Sequence, residues 1–195
     1  AEALRLGIFG GTFNPIHVGH LRLAETAREE LALDRVVFIP TARPPHKRVR
    51  DLLPGAVRLE LVQLAIRDHP AFVASEIELQ RPGPSYSIET VQSLRRQLPE
   101  AKLFLLVGED MLGVRWVGWD ALRRLCTIVA ARRPGGRPLG IKPSGIKWLS
   151  MPPLDISSSA IRARVKAGRS IRYLVPVAVE RSIWQHRLYQ GGKTG

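Results

Sequence analysis

Gly10-Gly11-Thr12-Phe13-Asn14-Pro15-Ile16-His17-Val18-Gly19-His20 is the stretch around which the chain can be organised. An apolar run, Leu6 to Phe9, leads into it, and an amphipathic run, Leu21 to Leu33, leaves it. That order reads as strand, glycine-rich turn, helix. Glycines let a backbone approach a ligand closely, and the first N–H groups of a helix point at anions. His17 and His20, three apart, share one helical face. The stretch therefore predicts a nucleoside-triphosphate site with imidazoles aimed at the phosphates.

Outward from it, hydrophobic periodicity predicts strands over residues 4–9, 35–40, 72–79, 102–108, 127–131 and 146–151. Helices are predicted over 18–33, 52–68, from about Ser87 (a candidate N-cap) through Leu94, and over 119–124, 157–167 and 176–189. Segments 41–54 and 133–145 read as loops, and 190–195 as a frayed tail. Strands alternating with helices point to an α/β fold with a mostly parallel sheet. The run Leu103-Phe104-Leu105-Leu106-Val107 is typical of a strand covered on both faces. Parallel sheets bind ligands beyond the carboxyl ends of their strands, which aligns Gly10–His20, Gly108-Glu109-Asp110 and Arg132-Arg133 along one edge.

The 195 residues favour one domain, spanning 1–195, with ordinary globular proportions of 45% hydrophobic and 24% charged residues. No apolar run is long enough to span a bilayer, and the N-terminus lacks the apolar core of a signal peptide. The single cysteine, Cys126, excludes an internal disulfide framework and points to a reducing, cytoplasmic setting. Its apolar neighbours mark it as a buried small hydrophobe rather than a nucleophile. The formal net charge is +13, and 24 of the 30 basic residues are arginine. Anionic partners are implied. The charge is spread along the chain and aromatic residues are only 6%, so small phosphorylated ligands are expected rather than nucleic acid.

The glycine stretch matches neither G-x-G-x-x-G nor G-x-x-x-x-G-K-[ST], which removes the dinucleotide-cofactor and P-loop readings. No third ligand stands at zinc spacing from His17 and His20, so no protein metal site is expected. A second motif, Ile156-Ser157-Ser158-Ser159-Ala160-Ile161-Arg162, opens a helix with hydroxyls and places an arginine in its second turn. Ser157 can cap, and Arg162 can add a charge-assisted contact to a phosphate. An ordinary capped amphipathic helix would look the same. Pro44-Pro45-His46-Lys47 is a stiffened basic loop in which Lys47 can reach a phosphate or simply be solvated. Asp110 can accept from a ribose or cap a helix. Arg132 and Arg133 contact phosphate or lie on the surface.

Together these strings resemble the nucleotidyltransferase α/β-phosphodiesterase superfamily, and more narrowly the bacterial nicotinate mononucleotide adenylyltransferase family. The resemblance rests on Gly10–His20, on Pro44-Pro45-His46-Lys47, on Pro84-Ser85-Tyr86-Ser87 with Thr90, on Gly108-Glu109-Asp110 and on Ile156–Arg162. Phosphopantetheine adenylyltransferases typically carry threonine where His17 stands, and cytidylyltransferases usually lack the Asn14-Pro15 pair. Ser87 and Ser159 stand where the family commonly has threonine, and both keep the hydroxyl. The resemblance covers Leu6 to about Tyr189 and implies a Rossmann-like, doubly wound sheet, with a C-terminal helical part over 156–189. It implies transfer of the adenylyl group of ATP to nicotinate mononucleotide, by in-line attack of the mononucleotide phosphate with no covalent enzyme intermediate.

Four residues are then expected to be catalytic: His17, His20, Lys47 and Arg162. Gly10, Gly11, Thr12, Phe13, Asn14, Gly108, Asp110, Ile156, Ser157 and Ser158 are expected to bind ATP. Ser87, Thr90, Trp116 and Lys47 are expected to bind the mononucleotide, with the Trp116 ring on the pyridine and Trp119 packed in the core. Mg2+ is expected, held mainly through the ATP phosphates. The expected partners are ATP and nicotinate mononucleotide, with no membrane and no nucleic acid, and a homo-oligomer is left open. Two alternatives stand: a related transferase using nicotinamide mononucleotide or phosphopantetheine, and a non-enzymatic RNA-binding protein argued from charge alone.

Overall fold

A computed structural model describes residues 2–44, 51–113, 115–132 and 145–191. The elements run β1 (Arg5–Gly11), α1 (Val18–Glu30), β2 (Arg35–Pro40), α2 (Gly55–Ile66), β3 (Phe72–Ala74), α3 (Ser87–Gln97), β4 (Lys102–Gly108), a 3-10 turn (Glu109–Gly113), α4 (Trp119–Leu125), β5 (Thr127–Ala131), β6 (Ile146–Trp148), α5 (Ser158–Lys166) and α6 (Val177–Gln185).

The six strands form one sheet in the order β3-β2-β1-β4-β5-β6, and every pairing is parallel. This is the doubly wound Rossmann order, with the direction of winding reversed between β1 and β4. The expected sheet, mostly parallel, is entirely so among the described residues. Helices cover both faces, and side chains along each strand alternate between them. Phe9, Val36, Phe38, Phe104, Leu106 and Val129 enter one core cluster with α1, α2, α5 and α6. Ile8, Val37, Ile39, Leu103, Leu105 and Ile128 enter the other, with α3 and α4.

Several boundaries differ from expectation, three of them for clear local reasons. β1 continues two residues past Phe9, because Gly10 and Gly11 pair with Ile39 and Pro40 and the Thr41 N–H donates to Gly11 O at 2.9 Å. The glycines thus end a strand, and Phe13, in the left-handed region at φ 48°, makes the turn. β3 stops at Ala74, not residue 79. Ser75 Oγ accepts from the Ile77 N–H at 3.3 Å, and Leu79 N–H donates to Glu76 O at 2.9 Å, so a side-chain-capped turn replaces the ladder. α6 ends at Gln185 because Arg187 and Tyr189 take left-handed backbone, at φ 52° and 61°.

Phe38 is fully buried, with ring centroids 5.5, 5.9 and 5.1 Å from those of Phe9, Phe13 and Phe72. Phe38→Ala should lose about 3–5 kcal/mol of stability in urea unfolding, since the ring's contacts vanish and a cavity remains. A loss under about 1 kcal/mol would mean that this aromatic cluster does not carry the core.

Candidate active site

The start of α1 is held by its two histidines. His17 is the N-cap, with extended backbone, and its Nδ1 accepts from the His20 N–H at 3.4 Å. His20 Nδ1 in turn accepts from the His17 N–H at 3.0 Å. This is a capping box made with imidazoles rather than serine and glutamate. The rings stack, centroids 3.7 Å apart and 21° from parallel. An Nδ1 that accepts carries no proton, so each neutral ring has its proton on Nε2. In that tautomer each ring presents its Nε2–H as the donor. Gly19 is required by the same arrangement, because a Cβ there would lie 2.8 Å from His17 Cε1.

The second motif docks directly on the first. Ser157 caps α5, its Oγ accepting from the Ala160 N–H at 3.2 Å. Ser158 Oγ donates to Pro15 O at 2.9 Å, and Arg162 Nη1 donates to Asn14 O at 2.8 Å. Ile156 approaches from the same side, with its Cβ 3.7 Å from where a Gly19 Cβ would stand. Two helix N-termini therefore come together past the carboxyl end of β1, next to the reversal of winding. Paired helix N-termini are chemically suited to an anion.

Several expected contacts are reassigned. Phe13 and Asn14, expected against ATP, turn inward with side chains 1% exposed. Phe13 lies edge-on to His20 at 5.0 Å between centroids, and the Asn14 amide bonds three protein groups, at Asp51, Leu53 and Tyr189. Apolar bulk and backbone satisfaction explain both. The hydroxyl of Ser158 is spent on Pro15 rather than pointing outward. Ser87 is the first residue of α3 rather than its cap, which is Tyr86. Thr90, expected against the mononucleotide, is buried and accepts from Arg81 Nη2 at 2.5 Å. Thr90 thus braces the turn before Ser85 instead of facing a ligand. Ser85 ties that turn to segment 41–44: its Oγ accepts from Ala42 N–H at 3.1 Å and its N–H donates to Arg43 O at 3.2 Å.

The expected division between Trp116 and Trp119 is not drawn by the structure. Both are half-buried against the same cluster, with ring centroids 5.7 Å apart, and Trp116 Nε1 donates to Met111 O at 2.7 Å. Arg132 lies over the Trp148 ring at 5.0 Å. Gly108 closes β4 where expected, and the 3-10 turn follows at once. His46, Lys47, Arg133 and the Asp110 side chain lie outside the described residues. Among the described residues no group of three or more His, Cys, Asp or Glu could hold a metal ion, and no helix is long and apolar enough to cross a membrane. The cavity lined by Arg123, Arg124, Cys126 and Thr127 sits at the amino end of β5, the opposite end of the sheet from this site.

The buried polar side chains that sequence reasoning misses include Arg58, Glu78 and Tyr189. Arg58 is 1% exposed. The available signal is its place on one helical stripe with Leu61, Val62 and Ile66. Burial holds its pKa below the usual arginine value and pushes that of Tyr189 up. Cys126 is buried, and its thiol is pushed up to about 12 by burial, consistent with inertness.

A family model described as cytidylyltransferase-like matches residues 8–164. A protein of Geobacter sulfurreducens named "Probable nicotinate-nucleotide adenylyltransferase" is 42% identical, over 95% of this chain and 98% of its own length. One of the same name from Thermus thermophilus is 45% identical, over 96% and 100%. The structure of Plasmodium falciparum nicotinic acid mononucleotide adenylyltransferase complexed with NaAD superposes with a TM-score of 0.81, covering 97% of this chain and 98% of that one. At 14% identity it shares the fold.

Glu78 supplies a pH dependence. Burial raises its carboxyl to about 7, from 4.5 in an open chain, against the pull of Arg81 at 3.5 Å and the Thr90 hydroxyl, and with Glu89 adding to the rise. Between those values the folded protein keeps a proton that the unfolded chain has released. Stability must then fall as pH rises through the window, by roughly 3 kcal/mol for a shift of this size. Urea midpoints measured from pH 5 to pH 8 should decline for the native protein relative to Glu78→Gln. Parallel curves would show that Glu78 is ionised throughout.

Proposed function

The chain belongs to the nicotinate-nucleotide adenylyltransferase family of cytidylyltransferase-like proteins, and from that membership we propose how its site works. It transfers the adenylyl group of ATP to nicotinate mononucleotide, giving nicotinate adenine dinucleotide and pyrophosphate, a step of NAD biosynthesis. The observation that carries the reading is the direct bonding of the two motifs, Ser158 to Pro15 and Arg162 to Asn14, which brings both helix N-termini onto one anion site.

An oxygen of the mononucleotide 5′-phosphate attacks the α-phosphorus of ATP. One O–P bond forms while the bond to the β-phosphate oxygen breaks, and pyrophosphate leaves. The nucleophile is ionised at neutral pH, so no protein base is needed and no covalent enzyme intermediate arises. Catalysis is positioning and charge stabilisation. His17 and His20, fixed as Nε2–H donors, serve the triphosphate, His20 most directly at the α-phosphate. Gly10 and Gly11 end β1 without side chains, which leaves room for close approach beside Thr12. Lys47, Ser157 and the rest of the Arg162 guanidinium hold the β- and γ-phosphates. Trp116 and Ser87 face the mononucleotide, and Gly108 and Asp110 the nucleoside of ATP.

The described donors are imidazole N–H, hydroxyl and guanidinium groups. They suit a divalent metal, Mg2+, carried by the triphosphate rather than one caged by protein. Such an ion would neutralise the leaving pyrophosphate. The whole chain, 1–195, acts as one transferase unit, since Ile161, Val165, Val179 and Ile183 of α5 and α6 share the core cluster of α1 and α2. A cytoplasmic setting agrees with the inert Cys126.

Pyrophosphate release on mixing the protein with ATP and nicotinate mononucleotide tests the reading. Release with neither pyridine mononucleotide points to another acceptor, and no release with any acceptor to a non-enzymatic protein. His20→Ala should lower kcat by roughly 10²–10⁴ and cost about 1 kcal/mol through the lost cap; near-normal turnover removes His20 from the chemistry. Trp116→Ala should raise KM for the mononucleotide more than for ATP, and equal effects would place Trp116 in the core.

A further inference from the structure

Arg58 is the most deeply buried charge among the described residues, and no carboxylate among them pairs with it. Its partners are backbone carbonyls from three separate segments. Nη1 donates to Thr12 O at 2.9 Å and to Thr41 O at 2.6 Å, and Nε donates to Leu53 O at 2.8 Å. Only a planar guanidinium can reach all three at once. A buried arginine keeps its charge, so a full positive charge stands one carbonyl behind the loop that borders the anion site.

Asn14 makes a second anchor to the same place. Its Oδ1 accepts from Leu53 N–H at 3.3 Å and from the Tyr189 hydroxyl at 2.7 Å, and its Nδ2 donates to Asp51 O at 3.2 Å. Leu53 is thus gripped through its N–H by Asn14 and through its carbonyl by Arg58. Leu53 N–H and Asp51 O fix which way the amide faces, and the Tyr189 hydroxyl adds a second donor to Oδ1. Phe13 and Tyr189 both sit in left-handed backbone, at φ 48° and 61°. Each such residue costs about 1–3 kcal/mol and persists where its surroundings over-determine it.

We propose that Arg58, with Asn14 and Tyr189, is the positioning centre of the ATP site. The three hold loop 12–14 from behind and register it against segments 41–44 and 51–54. None of them touches substrate in this scheme. They act through the backbone of Thr12 and Asn14, the latter being the acceptor of Arg162. A displacement of this loop by 1 Å moves the glycine edge and α5 together, the kind of shift that costs about 10²-fold in rate. The proposal rests on the adenylyl-transfer reading for its kinetic arm and on geometry alone for its second arm.

The test uses Arg58→Lys, which keeps the charge and loses the fork, and Tyr189→Phe, which removes one hydroxyl from a packed ring. Expected are falls in kcat/KM for ATP of roughly 10–100-fold and 3–10-fold respectively, with KM for the mononucleotide shifting less than about 3-fold. Amide hydrogen exchange without substrate should quicken in 41–44 and 51–54 and stay unchanged in β4. Native kcat/KM for ATP in both variants would overturn the proposal. So would equal losses for both substrates with faster exchange through β4, the mark of general loosening. If the native protein releases no pyrophosphate, the functional reading fails separately. The exchange arm then decides alone: quickening confined to the two segments supports the anchor, and none overturns it.

Discussion

The first strand has to be covered everywhere. β1 is paired along both edges, by β2 and β4, and its side chains enter both cores. Its only opening is its carboxyl end. Because the winding reverses beside it, no crossover helix closes over that end, and whatever follows β1 must turn sharply and start a helix at the mouth of the crevice. The glycines that finish the strand, the left-handed Phe13 and the capped start of α1 all answer this one requirement. The proposed nucleotide site lies in the opening that a parallel sheet leaves there.

The histidine pair has two tasks with one geometry. As caps, the rings accept backbone N–H groups through Nδ1, and that forces the remaining proton of each neutral ring to Nε2. In the proposed reaction they would be donors whose orientation is set before the nucleotide arrives. Electrostatic catalysis is most effective when the dipoles do not have to reorganise as charge develops. The helix start supplies that fixity. The steric demand of His17 on Gly19 shows how narrow the solution is, because even a methyl group at residue 19 collides with the ring.

The sheet was readable because strands buried on both faces are nearly continuous apolar runs: β2, β4 and β5 lie where hydrophobicity alone places them. Short edge strands were not. β3 ends where Ser75 offers the backbone a turn, a competition decided by one hydroxyl. The two phosphate motifs were legible as strings, and the direct contact between them was implicit in their shared chemistry. Which way each side chain points was not. Asn14 and Thr90 look like ligand-facing polar residues and are instead buried braces, since polarity announces a hydrogen bond without saying to what. Arg58 was invisible for the converse reason. A charged residue on a helix reads as solvated unless its partners are known, and its partners are carbonyls, which every residue has.

The bond from Tyr189 to Asn14 joins positions 175 residues apart. Domains emerge from the ribosome amino end first, at roughly 5–20 residues per second. The sheet strands and α1 to α4 are therefore available well before α5 arrives to bond Pro15 and Asn14, and Tyr189 comes last. Until then loop 12–15 has its bonds to Asp51, Leu53 and Arg58 but lacks those from Ser158, Arg162 and Tyr189. The growing polypeptide carries Gly10–His20 early but completes the bonding around it only once α5 and Tyr189 have emerged, so a half-made chain does not present the finished loop.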